Sequence, residues 1–324
     1  MKKLTALLLA LVMVFALAAC GSSNSTPAAE GSAAEEAAAP ADMKVGFIFL
    51  HDENSTYDLN FLNAAKDACE AEGVEAVIKT NVPEGQECYE TAAELVDAGC
   101  SIVFADSFGH EDYMIQAAKE FKDVQFCHAT GTKAHTEGLA NYHNAFAAIY
   151  EGRYLGGVAA GMKLNQLIEE GKITADQAKI GYVGAYTYAE VISGYTSFFL
   201  GARSICESAT MEVTFTGSWY DETAEKEAAT KLIGNDCVLI SQHADSMGAP
   251  TACENAGVPN VSYNGSTVDA CPNTFIVSSR INWTPYIQGA VQAMLDKKSI
   301  EKSIKGHIHG TDIGAGFDLG WVQI

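Results

Sequence analysis

Three short clusters in the second half of the chain carry the side chains best suited to holding a small molecule. They are Trp219, Tyr220 and Asp221, then Gln242, His243 and Asp245, then Asn264. Together they offer an aromatic face and several hydrogen-bonding groups. That combination suits the binding of a small, flat, polar molecule better than it suits a reaction. Two other clusters look like metal donors: His51, Asp52 and Glu53, and the pair His307 and His309. Neither has a partner at a helix or strand spacing that would set a coordination geometry. They read as solvated loop residues, so no metal and no cofactor is expected. The chain has no Asp-x-Asp cluster after its first strand, no Gly-x-Ser-x-Gly elbow and no Walker loop, the usual marks of metal-assisted hydrolysis, acyl transfer or nucleotide hydrolysis.

The clusters fall where strands should end. Strand-like runs are expected at 179–183, 211–216, 237–241 and 260–263. Runs of helical length separate them at 188–203, 224–233 and 247–256. This alternation predicts a parallel sheet with helices on both faces, which binds ligands beyond the carboxyl ends of its strands. The first half repeats the rhythm, with strands at 44–50, 74–80, 101–105 and 124–128 and helices at 58–72, 84–98 and 111–121. Its strand-end loops, 51–57, 106–110 and 129–132, are again polar and aromatic. Residues 144–164 are apolar at helical spacing, and Gly156, Gly157 and Gly161 allow that helix to pack closely on the second sheet. A further strand is expected at 274–278 and a further helix at 282–295. The fold class is therefore α/β, with two doubly wound lobes and a cleft between their strand ends.

Composition narrows the partners. The chain has 41 acidic and 20 basic residues, a formal net charge of −21, and no basic stripe. Nucleic-acid phosphates are excluded as a partner on that balance. Lys2 and Lys3 precede an apolar run over 4–19, which reads as an export signal. The sequence Leu17-Ala18-Ala19-Cys20-Gly21 resembles the lipobox of bacterial lipoproteins, which implies lipidation at Cys20 and attachment to the outer face of the cytoplasmic membrane. Residues 20–42, rich in Ser, Ala, Glu and Pro, read as a flexible tether. Eight further cysteines are present, and an exported chain permits disulfides, but their pairing cannot be read from sequence.

Seven motifs in one order resemble the basic membrane protein family of lipoproteins. These are 109–114, 124–131, 150–155, 200–204, 216–221, 242–246 and 282–286. Members of that family are substrate-binding components of ABC transporters, and several bind purine nucleosides. The resemblance implies a two-lobed, type I-like periplasmic-binding-protein fold that traps its ligand on closure. By position, it implies that Tyr57 and Trp219 stack on the ligand from opposite lobes. Asp58 follows Tyr57 where the family commonly has asparagine, and Asp245 would take ribose hydroxyls or a base N–H. Phe108 would line the cleft. Asn264 stands where many nucleoside receptors have aspartate, and residues 279–281 lack the lysine that some members place near the sugar. A free base or a flavin is therefore an alternative to a nucleoside. Asp221 is equally placed to cap the following helix, and Trp283 either lines the cleft or packs beneath the hinge.

The expected organisation is a signal at 1–19, a tether at 20–42, a first lobe at 43–140 plus 274–298, a second lobe at 141–273, and a C-terminal segment at 299–324, which stops earlier than the family resemblance implies. The expected partners are a small-molecule ligand and the permease and ATPase subunits of an importer, with the receptor itself a monomer and no enzyme. A secreted nucleoside-acting enzyme and a ligand sensor on the same fold are the rival readings.

Overall fold

The computed structural model describes residues 42–308, 310 and 312–324. The expected signal, Cys20, the tether up to residue 41, and His309 lie outside the described residues.

The first sheet contains β1 (Lys44–Ile48), β2 (Glu75–Lys79), β3 (Cys100–Ala105), β4 (Gln125–Ala129) and β5 (Tyr142–Ala145), in the order β2-β1-β3-β4-β5. Every pairing is parallel. The crossovers are α1 (Thr56–Glu72), α2 (Gln86–Asp97), α3 (Glu111–Glu120) and the short α4 (Ala134–Glu137). Local signals set the helix ends. The Ser55 hydroxyl accepts the Asp58 N–H at the start of α1, and Gly73 closes it in the left-handed region, with φ 65°, where a residue without Cβ is unstrained. One apolar cluster fills each face of the sheet, around Phe47, Phe61 and Phe104 on one side and Val103, Met114 and Phe126 on the other.

The second sheet contains β6 (Lys179–Gly184), β7 (Thr210–Phe215), β8 (Leu239–His243), β9 (Asn260–Tyr263), β10 (Phe275–Ile281) and β11 (Val322–Gln323), in the order β11-β10-β9-β8-β6-β7. Only the β10–β11 pair is antiparallel. It is covered by α5 (Ile149–Glu169), α6 (Ala189–Ile205), α7 (Glu222–Gly234) and α8 (Gly248–Ala256). Helices α5 and α6 touch backbone to backbone. A Cβ on Gly157 would lie 1.9 Å from the Phe198 carbonyl oxygen, and one on Gly161 would lie 2.5 Å from that of Ala202.

The lobe boundaries differ from the expected ones in two places. Strand β5, which overlaps the expected helix at 144–164 by two residues and falls within the expected second lobe, pairs with β4 in the first sheet. Its four residues, Tyr-His-Asn-Ala, carry too little apolar alternation to signal a strand. Strand β10, expected in the first lobe, stays in the second sheet beside β9. Only the following helix, α9 (Thr284–Leu295), crosses back and packs on the first lobe through Tyr286, Ile287 and Val291. The short α10 (Ile300–Ser303) follows, and the C-terminal segment then links both lobes. The Phe146 N–H donates to the Ile313 carbonyl at 2.8 Å, and β11 joins β10. The chain thus crosses between lobes after β5, after β10 and before β11.

All eight cysteines among the described residues are buried free thiols. No described helix is long and apolar enough to cross a membrane.

Candidate functional site

The carboxyl ends of both sheets face each other across a tight cavity with about 20 Å³ of free volume. That is far below the roughly 300–1,000 Å³ usual for occupied small-molecule sites, so the lobes must part to admit a ligand. The first lobe supplies Leu50 and His51 after β1, Tyr57 and Asp58 from the first turn of α1, Asp106, Ser107 and Phe108 after β3, and Thr130 after β4. The second supplies Glu190 from the first turn of α6, Trp219 after β7, His243 and Asp245 from the end of β8, and Tyr263 from the end of β9.

Two of the carboxylates are held differently from the other two. The Asp58 carboxylate accepts from the His51 N–H at 2.9 Å, the Ser55 hydroxyl at 2.6 Å, and lies 3.3 Å from His51 Nδ1. Burial pushes this carboxyl up, but hydrogen bonds from His51 and Ser55 outweigh it and hold it below its ordinary value. Glu190 lies 3.4 Å from the Tyr263 hydroxyl, which donates to it. By contrast, Asp106 and Asp245 are 0% and 4% exposed, and each has one oxygen, Asp106 Oδ2 and Asp245 Oδ1, with no hydrogen-bond partner. Burial and neighbouring negative charge push both well above the usual carboxylate range, Asp58 acting on each. Nδ1 of His243 and Nε1 of Trp219 are likewise buried without hydrogen-bond partners, and His243 Nε2 lies 3.9 Å from Glu190. Burial holds the His243 imidazole down, so it is neutral at pH 7.

Buried polar atoms without partners are rare in folded proteins, because each one costs about 1–3 kcal/mol. Here several converge on one enclosed space at the strand ends, which is the pattern of groups waiting for a ligand.

The lobes are closed on each other around this space. The Phe108 ring of the first lobe stacks on Tyr188 of the second at 4.5 Å and 26°. Tyr188 in turn adjoins Tyr186 and Trp219. The Thr56 N–H donates to the Asp245 carbonyl at 3.0 Å, and the Asn60 amide donates to the Asn264 carbonyl at 2.5 Å.

Of the eight residues expected to contact ligand, Tyr57, Asp58, Phe108, Trp219 and Asp245 line this cavity together. Three do not. Asp221 is exposed and caps α7, accepting the Ala224 N–H at 2.9 Å. Trp283 is 0% exposed beneath the hinge, wedged against Phe61, Tyr57, Tyr286 and Trp321. Asn264 is fully buried at the end of β9 with φ 59°, and its Oδ1 accepts the Ile281 N–H at 3.3 Å. It ties β9 to β10 rather than lining the cavity. The Tyr57 hydroxyl is also occupied, donating to the Asp106 carbonyl at 2.8 Å.

Asp106, Thr130 and Tyr263 were not among the eight, yet each ends or directly follows a strand, so the strand-end rule marks them. Glu190 carries no such mark, because it sits in the first turn of an ordinary helix. Among the described residues no group of three or more His, Cys, Asp or Glu side chains could hold a metal. His51 is engaged with Asp58, and His307 pairs by its backbone with Ile313.

A sequence model of PnrA-like ABC transporter substrate-binding proteins matches residues 49–312. The chain belongs to this family. It is 32% identical over 259 residues to a purine-binding protein of Brucella abortus, covering 78% of this chain and 69% of that one. It is 30% identical over 228 residues to a putative ABC transporter glucose-binding protein of Haloferax volcanii, covering 70% of this chain and 53% of that one. Among solved structures, an ABC transporter solute-binding protein of Aeropyrum pernix superposes with a TM-score of 0.71 at 16% identity, over 87% of this chain and 76% of that one. Another, from Conexibacter woesei, gives 0.66 at 19% identity over 87% of each chain. The two-lobed architecture is that of periplasmic binding proteins, and the family's proteins are substrate-binding components rather than enzymes.

Proposed function

We propose that this chain is the extracytoplasmic receptor of an ABC importer, anchored by lipid on Cys20, and that it takes a flat heteroaromatic solute of the purine base or nucleoside class. The observation that carries the reading is the cavity itself. Tyr57, Phe108, Trp219 and Tyr263 give it aromatic walls, and the unpartnered oxygens of Asp106 and Asp245 sit ready to accept ligand N–H or O–H groups. Aromatic faces contribute roughly 1–3 kcal/mol per stacked base and tolerate ring identity. Discrimination then comes from polar groups that the wrong ligand leaves unpaired. The purine-binding relative supports the same class.

In this reading the receptor does no chemistry. Ligand contacts with both lobes favour the closed form, and the permease and its ATPase respond to that form. The protein works as a monomer, without nucleic acid.

The test is a calorimetric and thermal-shift screen of the mature protein with Cys20→Ser, against purine bases, nucleosides, flavins, sugars and amino acids. A ligand that binds only the folded form raises the midpoint. Binding of a purine compound that weakens roughly 5- to 100-fold in Trp219→Ala is the expected result. A response to sugars or amino acids alone, with none to any heteroaromatic, rejects the purine class.

A further inference from the structure

The walls of the cavity carry an unusual balance of charge. Four carboxyl groups face it, Asp58, Asp106, Glu190 and Asp245, and no lysine or arginine does. The two imidazoles present lie against Asp58 and Glu190 rather than against Asp106 or Asp245. His243 is neutral at pH 7 because burial holds its proton affinity down, and His51 points its Nδ1 at Asp58, 3.3 Å away. Behind the walls stands a fifth carboxyl, Glu225, which is 0% exposed and accepts the Ser246 N–H next to Asp245. Arg153 lies on the far side of Tyr263, 5.5 Å from that ring, and is spent on Ser241, Ser262 and Ser279.

A buried carboxylate without a counter-charge is costly, so such groups either find a cation or keep a proton. The rest of the lining is aromatic. Ring faces attract cations, by about 2 kcal/mol or more where water is excluded, and aromatic cages are a recurring way to hold an organic cation.

We infer that the occupant is a positively charged heteroaromatic, such as an N-alkylated or protonated aminopurine, whose charge is matched by the uncovered oxygens of Asp106 and Asp245. This rests on the heteroaromatic reading given above and deepens it. In the empty cavity burial and the charge of Asp58 oppose ionisation of both groups, with neighbouring carboxyls adding to this at Asp245, so the protonated form of each is favoured. An arriving cation makes ionisation favourable, and a proton leaves to solvent. The exchange balances in charge: one cation enters and one proton departs. Tyr57 and Tyr263, the remaining titratable groups of the lining, are pushed well above the ordinary phenol value by burial and stay neutral throughout.

The experiment is isothermal titration of the mature chain with three compounds of one shape class. 1-Methyladenosine is a cation at neutral pH, whereas its isomer N6-methyladenosine and adenosine are neutral. The pair 7-methylguanosine and guanosine repeats the contrast with the charge elsewhere on the ring. Each titration is run in two buffers of different ionisation enthalpy and at several pH values. At least one cationic member should bind ten or more times tighter than its neutral counterpart and release close to one proton. Its affinity should then rise by about tenfold per pH unit while that carboxyl still holds its proton. Asp245→Asn should remove most of the preference for the cation, read as the ratio of cation to neutral affinity in the variant against the same ratio in the parent. If neutral members bind as tightly as cationic ones, or no proton is released, the cationic occupant is overturned while the purine class stands. If no heteroaromatic binds and a sugar does, both readings fall together.

Discussion

Two buried polar clusters meet at strands β8 and β9, one inside the second lobe and one between the lobes, and they are built on opposite plans. Beneath the sheet, Arg153 is 0% exposed and donates to the Ser262 carbonyl at 2.8 Å, to Ser279 Oγ at 3.2 Å and to Ser241 Oγ. The rings of Tyr182, Phe198 and Tyr263 surround its guanidinium at 5.1–5.6 Å. Ser241 and Ser262 pass their own protons on to the Val261 carbonyl and to Asn260. Above the sheet, at the strand ends, Asp245, Asp106, His243 and Trp219 keep polar atoms without partners. The lower cluster meets most of its hydrogen-bonding needs internally, although Arg153 Nε and the Tyr182 hydroxyl lack partners, and it holds strands β8, β9 and β10 to α5. The upper one is closed only when something else completes it. A satisfied buried network rigidifies a fold, and an unsatisfied one marks where a fold gives up stability for binding.

Three substitutions sharpen or break this contrast. The largest effect belongs to the lower cluster. Arg153→Ala leaves a void and three acceptors without a donor, and should cost about 3–5 kcal/mol in urea unfolding. A loss below about 1 kcal/mol would show that the cluster is not the strut described above.

Glu225 lies between the two plans. Its carboxylate accepts the Asp221 N–H at 3.3 Å and the Ser246 N–H at 3.2 Å, tying the Trp219 loop to the Asp245 loop. Burial pushes it up from 4.5 to about 7. The native state thus holds a proton that the unfolded chain has already released. The stability this confers is complete below pH 4.5 and is lost as pH rises to about 7. Glu225→Gln should abolish that decline, roughly 2–3 kcal/mol across the window. An unchanged pH profile of unfolding would show that Glu225 is not the group responsible.

The smallest effect belongs to the mouth of the cavity. Tyr188→Ala removes the partner of Phe108, an aromatic contact worth about 0.5–1.5 kcal/mol. Ligand release in stopped flow should quicken by roughly 2- to 10-fold while unfolding barely changes. A loss of stability without faster release would place Tyr188 with the structural cluster instead.

Much of the architecture was legible along the chain. Strands β1, β3 and β6 are largely apolar runs, because sheets buried on both faces demand them, whereas β4, β8 and β9 carry Gln, His, Asn or Ser beside their apolar residues. The loops after them were marked as the binding side by topology alone. Strand β5 was hidden because Tyr142 to Ala145 lacks both an apolar run and alternation. The lobe assignment of β10 was hidden because its apolar pattern suits either sheet, and only its register with β9 places it. At the site, Trp219 and Asp245 could be named because they follow strands. Asp221 could be named only as one of two things, and the cap won because α7 begins at the next residue.

The sequence by itself determined the alternating elements, the strand-end loops, the family and the acidic character of the chain, since each is carried by local pattern or by residue type. Only the tertiary structure decided which polar groups would find partners. Asp58 and Asp106 look alike on paper, each an aspartate at the binding end of the first lobe. One is enclosed by the turn that carries it, through Ser55 and His51, and the other lines the same cavity with one bare oxygen. Desolvation and hydrogen bonding depend on what distant segments bring within 3 Å, and those distances exist only once both lobes have folded and closed.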